Sequence, residues 1–168
     1  MKELRPLDYG LLWELIKNSR RSDRELARVL GSSQPTVTRR RAFLEKELID
    51  GYTAIPKWEK LGYEILALTF VKTKTILGLE EKYTAAHEKG RKWLMDQPNV
   101  IMGGGCRGMG MDGFFISVHK SYTEFNEFMF QHKRKVGDQV EDVQTILVNL
   151  AGKEILKPLN LKYLAETK

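Results

Sequence analysis

Apolar residues return at three- and four-residue intervals through the first fifty positions and then gather into shorter β-prone runs, and this change of period divides the chain. Leu7, Leu11, Leu12, Leu15 and Ile16 lie at helical spacing and predict a first helix ending near Asn18. Ser22 and Glu25 stand three apart, ahead of Leu26, Ala27 and Leu30, the pattern of a capping box opening a second helix with one apolar face. Gly31 ends that helix. Ser33 is placed to cap a third, where Pro35 falls in the first turn and needs no intrahelical N–H partner, and Val37, Leu44 and Leu48 extend the apolar stripe. Two short helices joined by a glycine turn, the second bearing Arg39, Arg40 and Arg41, form a helix-turn-helix whose basic second helix is the type that enters a DNA major groove.

After Leu48 a β-prone run, Tyr52 to Ile55, stops at Pro56, and a turn reaches Gly62; this stretch reads as a hinge. From Glu64 the pattern becomes strand, helix, strand, strand, helix, strand. Ile65 to Lys72 is the first strand, and Leu79, Tyr83, Ala86, Gly90, Trp93 and Leu94 mark a helix that ends before Pro98. Val100 to Cys106 and Phe114 to Val118 are strands around a glycine-rich loop. Ser121 and Glu124 form a second capping box, ahead of Phe125, Phe128, Met129, His132 and Val136. Val143 to Leu150 is the last strand. This order is the split βαβ, ferredoxin-like arrangement: four antiparallel strands with both helices on one face. The fold class is therefore α+β, with a helix-turn-helix domain at 1–50, a β hinge at 51–63, a ferredoxin-like domain at 64–150 and a tail at 151–168. A sheet covered on one side leaves an apolar face bare and predicts self-association.

Composition changes the picture only locally. The 168 residues carry a formal net charge of +6, which favours an anionic partner. Residues 1–56 hold eleven Lys and Arg against eight Asp and Glu, so the excess is spread and only the arginine triplet is concentrated. The single cysteine, Cys106, excludes an internal disulfide framework and a cysteine-based zinc site and suits a reducing cytoplasm. The N-terminus lacks a signal-like apolar stretch and no run reaches membrane-span length, so no membrane partner is expected.

The segments ELARVLGSSQPTVTRRR at 25–41, GYTA at 51–54 with KLGY at 60–63, VQTILV at 143–148 and LKPL at 156–159 give the chain a resemblance to the Lrp/AsnC family, the leucine-responsive or feast/famine transcription regulators. The resemblance implies a DNA-binding N-terminal domain and a C-terminal effector-binding domain that dimerises through its sheet and often builds octamers. It departs from the family pattern in three places. Ser32 stands at a turn position that is usually apolar. Arg41 stands on the core-facing stripe where Val or Ile is usual, so it must snorkel outward or pair, with Glu45 one turn on as a partner. In the effector loop, where members show a glycine, two residues and an aspartate, Asp112 matches but Met109 occupies the glycine position.

At 100° per residue, with Val37 facing the core, Arg39 points outward, Arg40 lies on the flank and Arg41 points inward. Arg39 is then the candidate to read a base edge and Arg40 to hold a phosphate, while Ser33, Gln34, Thr36 and Thr38 can reach bases or backbone from the N-terminal half of the helix. For a small amino-acid-like effector the candidate residues are Gly108, Gly110, Asp112 and Gly113; the same loop also reads as a plain hairpin turn, and it lacks the lysine of a phosphate-binding loop. His87, His119 and His132 show no metal-ligand spacing, and each reads as a surface or internally satisfied histidine. Cys106 reads as a small buried hydrophobe. No catalytic residue, metal or cofactor is expected. The resemblance leaves two alternatives of other classes, a tetrapyrrole (siroheme-type) decarboxylase of the same architecture and a DNA-free ligand-sensing module.

Overall fold

The computed structural model describes residues 3–74, 80–152 and 155–166, and the side chains of 80–87 lie outside that description. The chain divides into two compact units, one of residues 1–55 together with 157–168, the other of residues 56–156. The C-terminal tail therefore belongs partly with the N-terminal helices rather than standing apart, its short helix α6 (Lys162–Ala165) lying against the first helix of that unit.

In the first unit, helices α1 (Pro6–Lys17), α2 (Asp23–Val29) and α3 (Gln34–Glu47) enclose Leu11, Leu15, Leu26, Ala27, Val37 and Leu44, all buried. The ends of the helices follow the sequence closely. The Ser22 hydroxyl accepts the Glu25 N–H while the Glu25 carboxylate accepts the Ser22 N–H at 2.8 Å, so the capping box on α2 is complete. At its other end Gly31 adopts a left-handed φ of 61°, which lets the Ser32 N–H reach back to the Ala27 carbonyl at 2.9 Å and close a Schellman turn. Ser33 caps α3 through the Thr36 N–H. Leu48 departs from expectation: it is the C-cap of α3 and 45% exposed, because the backbone leaves helical geometry at this residue and Ile49 packs on the core instead.

No strand forms over Tyr52–Ile55, which carry no regular structure; no neighbouring strand offers the backbone groups that β pairing requires. A single 3₁₀ turn, Trp58–Leu61, follows and closes on Gly62 at φ 78°.

The second unit has the expected order: β1 (Ile65–Thr73), α4 (Glu80–Met95), β2 (Val100–Gly108), β3 (Met111–His119), α5 (Tyr122–Val136) and β4 (Val140–Asn149). The sheet runs β2-β3-β1-β4, each neighbouring pair antiparallel, which is the ferredoxin-like topology. Leu79 lies outside the described residues, as do the side chains of Tyr83, Ala86 and His87. Register places Ala67, Thr69, Phe115, Ser117 and His119 on the face that α5 covers. There Phe115 and His119 pack against Phe128, and Trp93 from α4 meets both Phe128 and His132. The second capping box is only half formed. Ser121 accepts the Glu124 N–H, but the Glu124 carboxylate takes the N–H of Lys120 rather than that of Ser121.

The opposite face presents Leu66, Leu68, Phe70, Ile116, Ile146 and Val148, with Ile146 58% exposed. The glycine-rich segment is mostly strand rather than loop. β2 runs through Cys106 to Gly108, β3 begins at Met111, and Asp112-Gly113 lies within the strand. The turn itself is Met109-Gly110, with φ of 51° and 73°, the pair of positive values that characterises a type I′ hairpin. The hairpin reading of this loop is thus what the backbone shows.

Candidate nucleic-acid interface and ligand cavity

The sequence lumps three arginines together; the fold gives them three different environments. Arg39 is exposed on the outward side of α3, and its side chain has no hydrogen bond or ion pair among the described residues. Arg40 is taken up internally, which corrects the expectation that it holds a phosphate. Its Nε and one terminal nitrogen meet the two carboxylate oxygens of Asp8, each at 2.5 Å. The Asp8 side chain is wholly buried and that of Arg40 is 13% exposed. A flank position on α3 faces α1, and a fully buried carboxylate there must be paired. Asp8 also accepts the Arg5 N–H at 2.7 Å, capping the first turn of α1. The Arg40 hydrogen bonds, opposed by burial, hold the Asp8 carboxyl below its ordinary pKa. Arg40 further lies 4.3 Å from the centre of the Phe43 ring.

Arg41 faces inward as its phase requires and pairs with Glu45 at 2.9 Å, in line with the sequence reading. It bonds Asp23 as well, at 3.1 Å. Burial works against its charge, and the hydrogen bonds to Glu45 and Asp23 outweigh that cost, so its pKa lies above the ordinary arginine value.

The remaining candidates on α3 separate in the same way. Gln34 is exposed and makes no side-chain bond. Ser33 and Thr36 bond each other through their hydroxyls at 2.8 Å, so both complete the helix cap. The Thr38 hydroxyl donates to Asp23 at 2.6 Å and is engaged with α2 rather than free to read a base. That bond, together with Arg41, lowers the Asp23 pKa against the effect of burial. Two cations that sequence reading missed stand open on α2 and its approach: Arg20 and Arg24 are exposed, and neither has an ion pair among the described residues. Their signal is exposure, which only the packing of α1 and α2 against α3 decides.

In the second unit a cavity of about 750 Å³ is lined by Val71, Leu94, Met95, Phe115, Val136 and Gln139 among others, with Gly103–Gly105, Asp112 and Gly113 along one wall. Gln139 also lines it, and its side-chain oxygen is buried with no hydrogen-bond donor among the described residues. Of the sequence candidates for an effector, Asp112 and Gly113 reach this cavity; Gly108 lines a separate shallow depression, and Gly110 lines neither. The Asp112 carboxylate is already engaged, accepting the Thr73 N–H at 3.0 Å and the Thr73 hydroxyl at 3.1 Å, and so ties β3 to the end of β1.

His119 is fully buried, with its Nε2 2.9 Å from the Ser117 hydroxyl, and His132 is buried among Trp93, Phe115 and Val136. Both are core histidines, not surface ones. Burial holds each below its ordinary pKa, so neither carries charge at neutral pH. Cys106 is half-exposed rather than buried, since it lies on an edge strand. No group of three or more His, Cys, Asp or Glu able to hold a metal occurs among the described residues. Nor is any helix among them long and apolar enough to cross a membrane.

Residues 6–45 match the AsnC-type helix-turn-helix domain. Over 61 residues the chain is 39% identical to the HTH-type transcriptional regulator LrpA of Pyrococcus abyssi; the aligned stretch is 36% of this chain and 43% of that relative. The fold recurs in solved structures. The transcriptional regulator NMB0573 of Neisseria meningitidis, in complex with L-Met, superposes with a TM-score of 0.78 at 22% identity, covering 96% of this chain and 99% of its own. An AsnC family transcriptional regulator from Agrobacterium tumefaciens gives 0.77 at 18% identity, with coverage of 96% and 99%. E. coli AsnC gives 0.73 at 20%, with 94% and 98%.

Replacing Asp8 with Asn leaves the Arg40 guanidinium buried without its counter-charge and should cost about 3–5 kcal/mol at neutral pH, read from urea unfolding midpoints. Because the folded pKa of Asp8 is depressed, its contribution is complete above the unfolded carboxylate value of about 3.9 and is lost as pH falls through the folded value. The gap between Asp8→Asn and wild type should therefore narrow in acid; a gap constant from pH 7 to pH 2 would disprove this assignment.

Proposed function

We propose that this chain is a sequence-specific DNA-binding transcriptional regulator of the Lrp/AsnC kind, a reading supported by its AsnC-type helix-turn-helix domain and its fold. The observation that carries this reading is the outer surface of α3, where Gln34 and Arg39 stand exposed with no internal partner while every other polar candidate is spent on holding the helix. A guanidinium free at that position can make the bidentate contact to guanine that confers specificity. Phosphate contacts, which supply most of the affinity and its salt dependence, fall to Arg20 and Arg24 at the start of α2, the helix that crosses the DNA backbone in this motif. A decarboxylase would have no use for such a surface.

Duplexes selected from a random pool by the wild-type protein provide the test. Arg39→Ala should cost about 1–3 kcal/mol on the selected site and relax preference at one base pair, whereas Arg24→Ala should weaken all sequences alike and reduce the salt slope by about one. Equal losses on selected and random DNA for both variants would refute the division of roles.

The functional unit is at least a homodimer, joined through the apolar sheet face of Leu66, Leu68, Phe70, Ile116 and Ile146, since one recognition helix provides too few contacts for a genomic search. Two heads would read half-sites about one helical turn, or a multiple of it, apart. Light scattering at micromolar concentration should give at least twice the chain mass, and Ile146→Lys should reduce it; a wild-type monomer contradicts the proposal.

A small amino-acid-like effector fits the 750 Å³ cavity, in keeping with the L-Met complex of the Neisseria protein. Its apolar part would lie against Leu94, Met95 and Val136, and the side-chain amide of Gln139, which lines the same cavity, would turn to bond the ligand's polar end. Asp112, held by Thr73, shapes the wall instead of pairing with the ligand. Thermal-shift measurements with the twenty amino acids should find a stabilising ligand whose effect Gln139→Leu abolishes; a hit indifferent to that substitution places the site elsewhere.

A further inference from the structure

Arg41 occupies a helix position whose neighbours in phase, Val37 and Leu44, are wholly buried, yet it gives four hydrogen bonds to acceptors on three separate segments. Its Nε donates to Glu45 at 2.9 Å. One terminal nitrogen donates to Asp23 and to the Arg21 carbonyl, each at 3.1 Å, and the other to the Ser19 carbonyl at 3.3 Å. Of its five N–H donors one is left. The same cation lies 5.7 Å from the centre of the Tyr52 ring, and the Tyr52 hydroxyl donates to Glu45 at 3.0 Å. The second oxygen of Asp23 accepts the Thr38 hydroxyl. A single guanidinium thus joins the α1–α2 connection, the first turn of α2, the C-terminal half of α3 and the chain that leaves the helical unit.

We propose that Arg41 is a positioning residue for DNA recognition: without touching DNA, it fixes the roll of α3 about its own axis against α2 and holds the departing chain at Tyr52. The inference rests on the reading of α3 as the recognition helix. The Asp8–Arg40 pair ties α3 to α1, but toward α2 the apolar contacts of Val37 and Leu44 are non-directional, and the one bond from Thr38 to Asp23 acts as a pivot that tolerates rotation. The three hydrogen bonds that leave α3, to Asp23 and to the Arg21 and Ser19 carbonyls, do not. A roll of roughly 10° moves the tip of a long side chain, roughly 8 Å from the helix axis, by more than about 1 Å, beyond what a bidentate base contact accepts. Arg39, two residues before Arg41, is the side chain that such a roll displaces most directly. The acceptors tolerate the loss of the cation: Asp23 and Glu45 have side chains 22% and 40% exposed, so replacing Arg41 with an unbranched apolar residue strands no fully buried charge.

The test compares full-length wild type with Arg41→Met and Arg41→Lys on two duplexes, one selected by the wild type and one random, across a salt series, with hydrogen exchange followed by mass spectrometry. Arg41→Met is expected to melt within a few degrees of wild type, to lose about ten-fold or more in affinity for the selected duplex and less than about two-fold for the random one, and to keep the salt slope. Arg41→Lys, which keeps the charge but not the fork, should fall between them and serves if Arg41→Met does not fold. Amides of residues 19–24 and 50–54 should exchange faster in both variants. A parallel loss on both duplexes with a salt slope lower by about one would make Arg41 a phosphate contact and overturn the proposal. So would unchanged discrimination, or unchanged exchange in those two segments. Wild-type protein that binds no duplex at low salt would overturn the DNA reading itself, and this inference with it.

Discussion

A carboxylate with no access to water cannot stay ionised without a partner, and the three-helix unit is arranged around that requirement. Asp8 sits on α1 with its side chain wholly buried and meets the Arg40 guanidinium through both oxygens while also capping its own helix. The apolar residues around it would bring three helices together in several arrangements; a forked ion pair in a low-dielectric setting accepts very few. Once Arg40 is tied to α1 and Arg41 to α2 and its approach, the placing of α3 is limited, and what it shows to solvent follows. Arg39 is turned out and Arg41 is turned in.

The same chemistry operates one position further along under less severe burial. Arg41 is about one-fifth exposed, as is Asp23, so their pairing costs less in desolvation and allows several acceptors to share one cation. Together the two guanidiniums account for most of the polar links among α1, α2 and α3. The three arginines of this helix thus divide: one faces outward to solvent, and two hold the helix to its own domain.

The sheet unit is organised by different physics. Its covered face is held by aromatic packing of Phe115, Phe125, Phe128 and Trp93 around two neutral histidines, and its open face has no such cover. The hairpin between β2 and β3 turns on Met109, which adopts a left-handed φ that favours glycine or asparagine. Its neighbours Gly108 and Gly110 supply the freedom that the turn needs, so the glycines of this segment serve the backbone first. Asp112, a side chain of the kind that could bind a ligand's ammonium, is instead spent on Thr73 at the end of β1.

Read alone, the sequence determined the elements and their order, because these depend on local signals: the capping residues Ser22 and Ser33, the left-handed Gly31, the helical recurrence of Leu11, Leu15, Leu26 and Leu44, and the succession of β-prone runs after Glu64. The inward phase of Arg41 and its bond to Glu45 were legible for the same reason, since both lie within one helix. What it could not determine was which polar groups remain free. Arg40 reads as a DNA contact because its partner lies thirty-two residues away on another helix; Thr38 reads the same way because Asp23 stands on α2; and Asp112 reads as a ligand contact because Thr73 is on a different strand. Tyr52–Ile55 looked like a strand by composition, but a strand exists only where a neighbour supplies its hydrogen bonds. Each of these outcomes depends on contacts between residues distant in sequence, and only the tertiary structure brings those residues within the few ångströms at which charges and hydrogen bonds choose their partners.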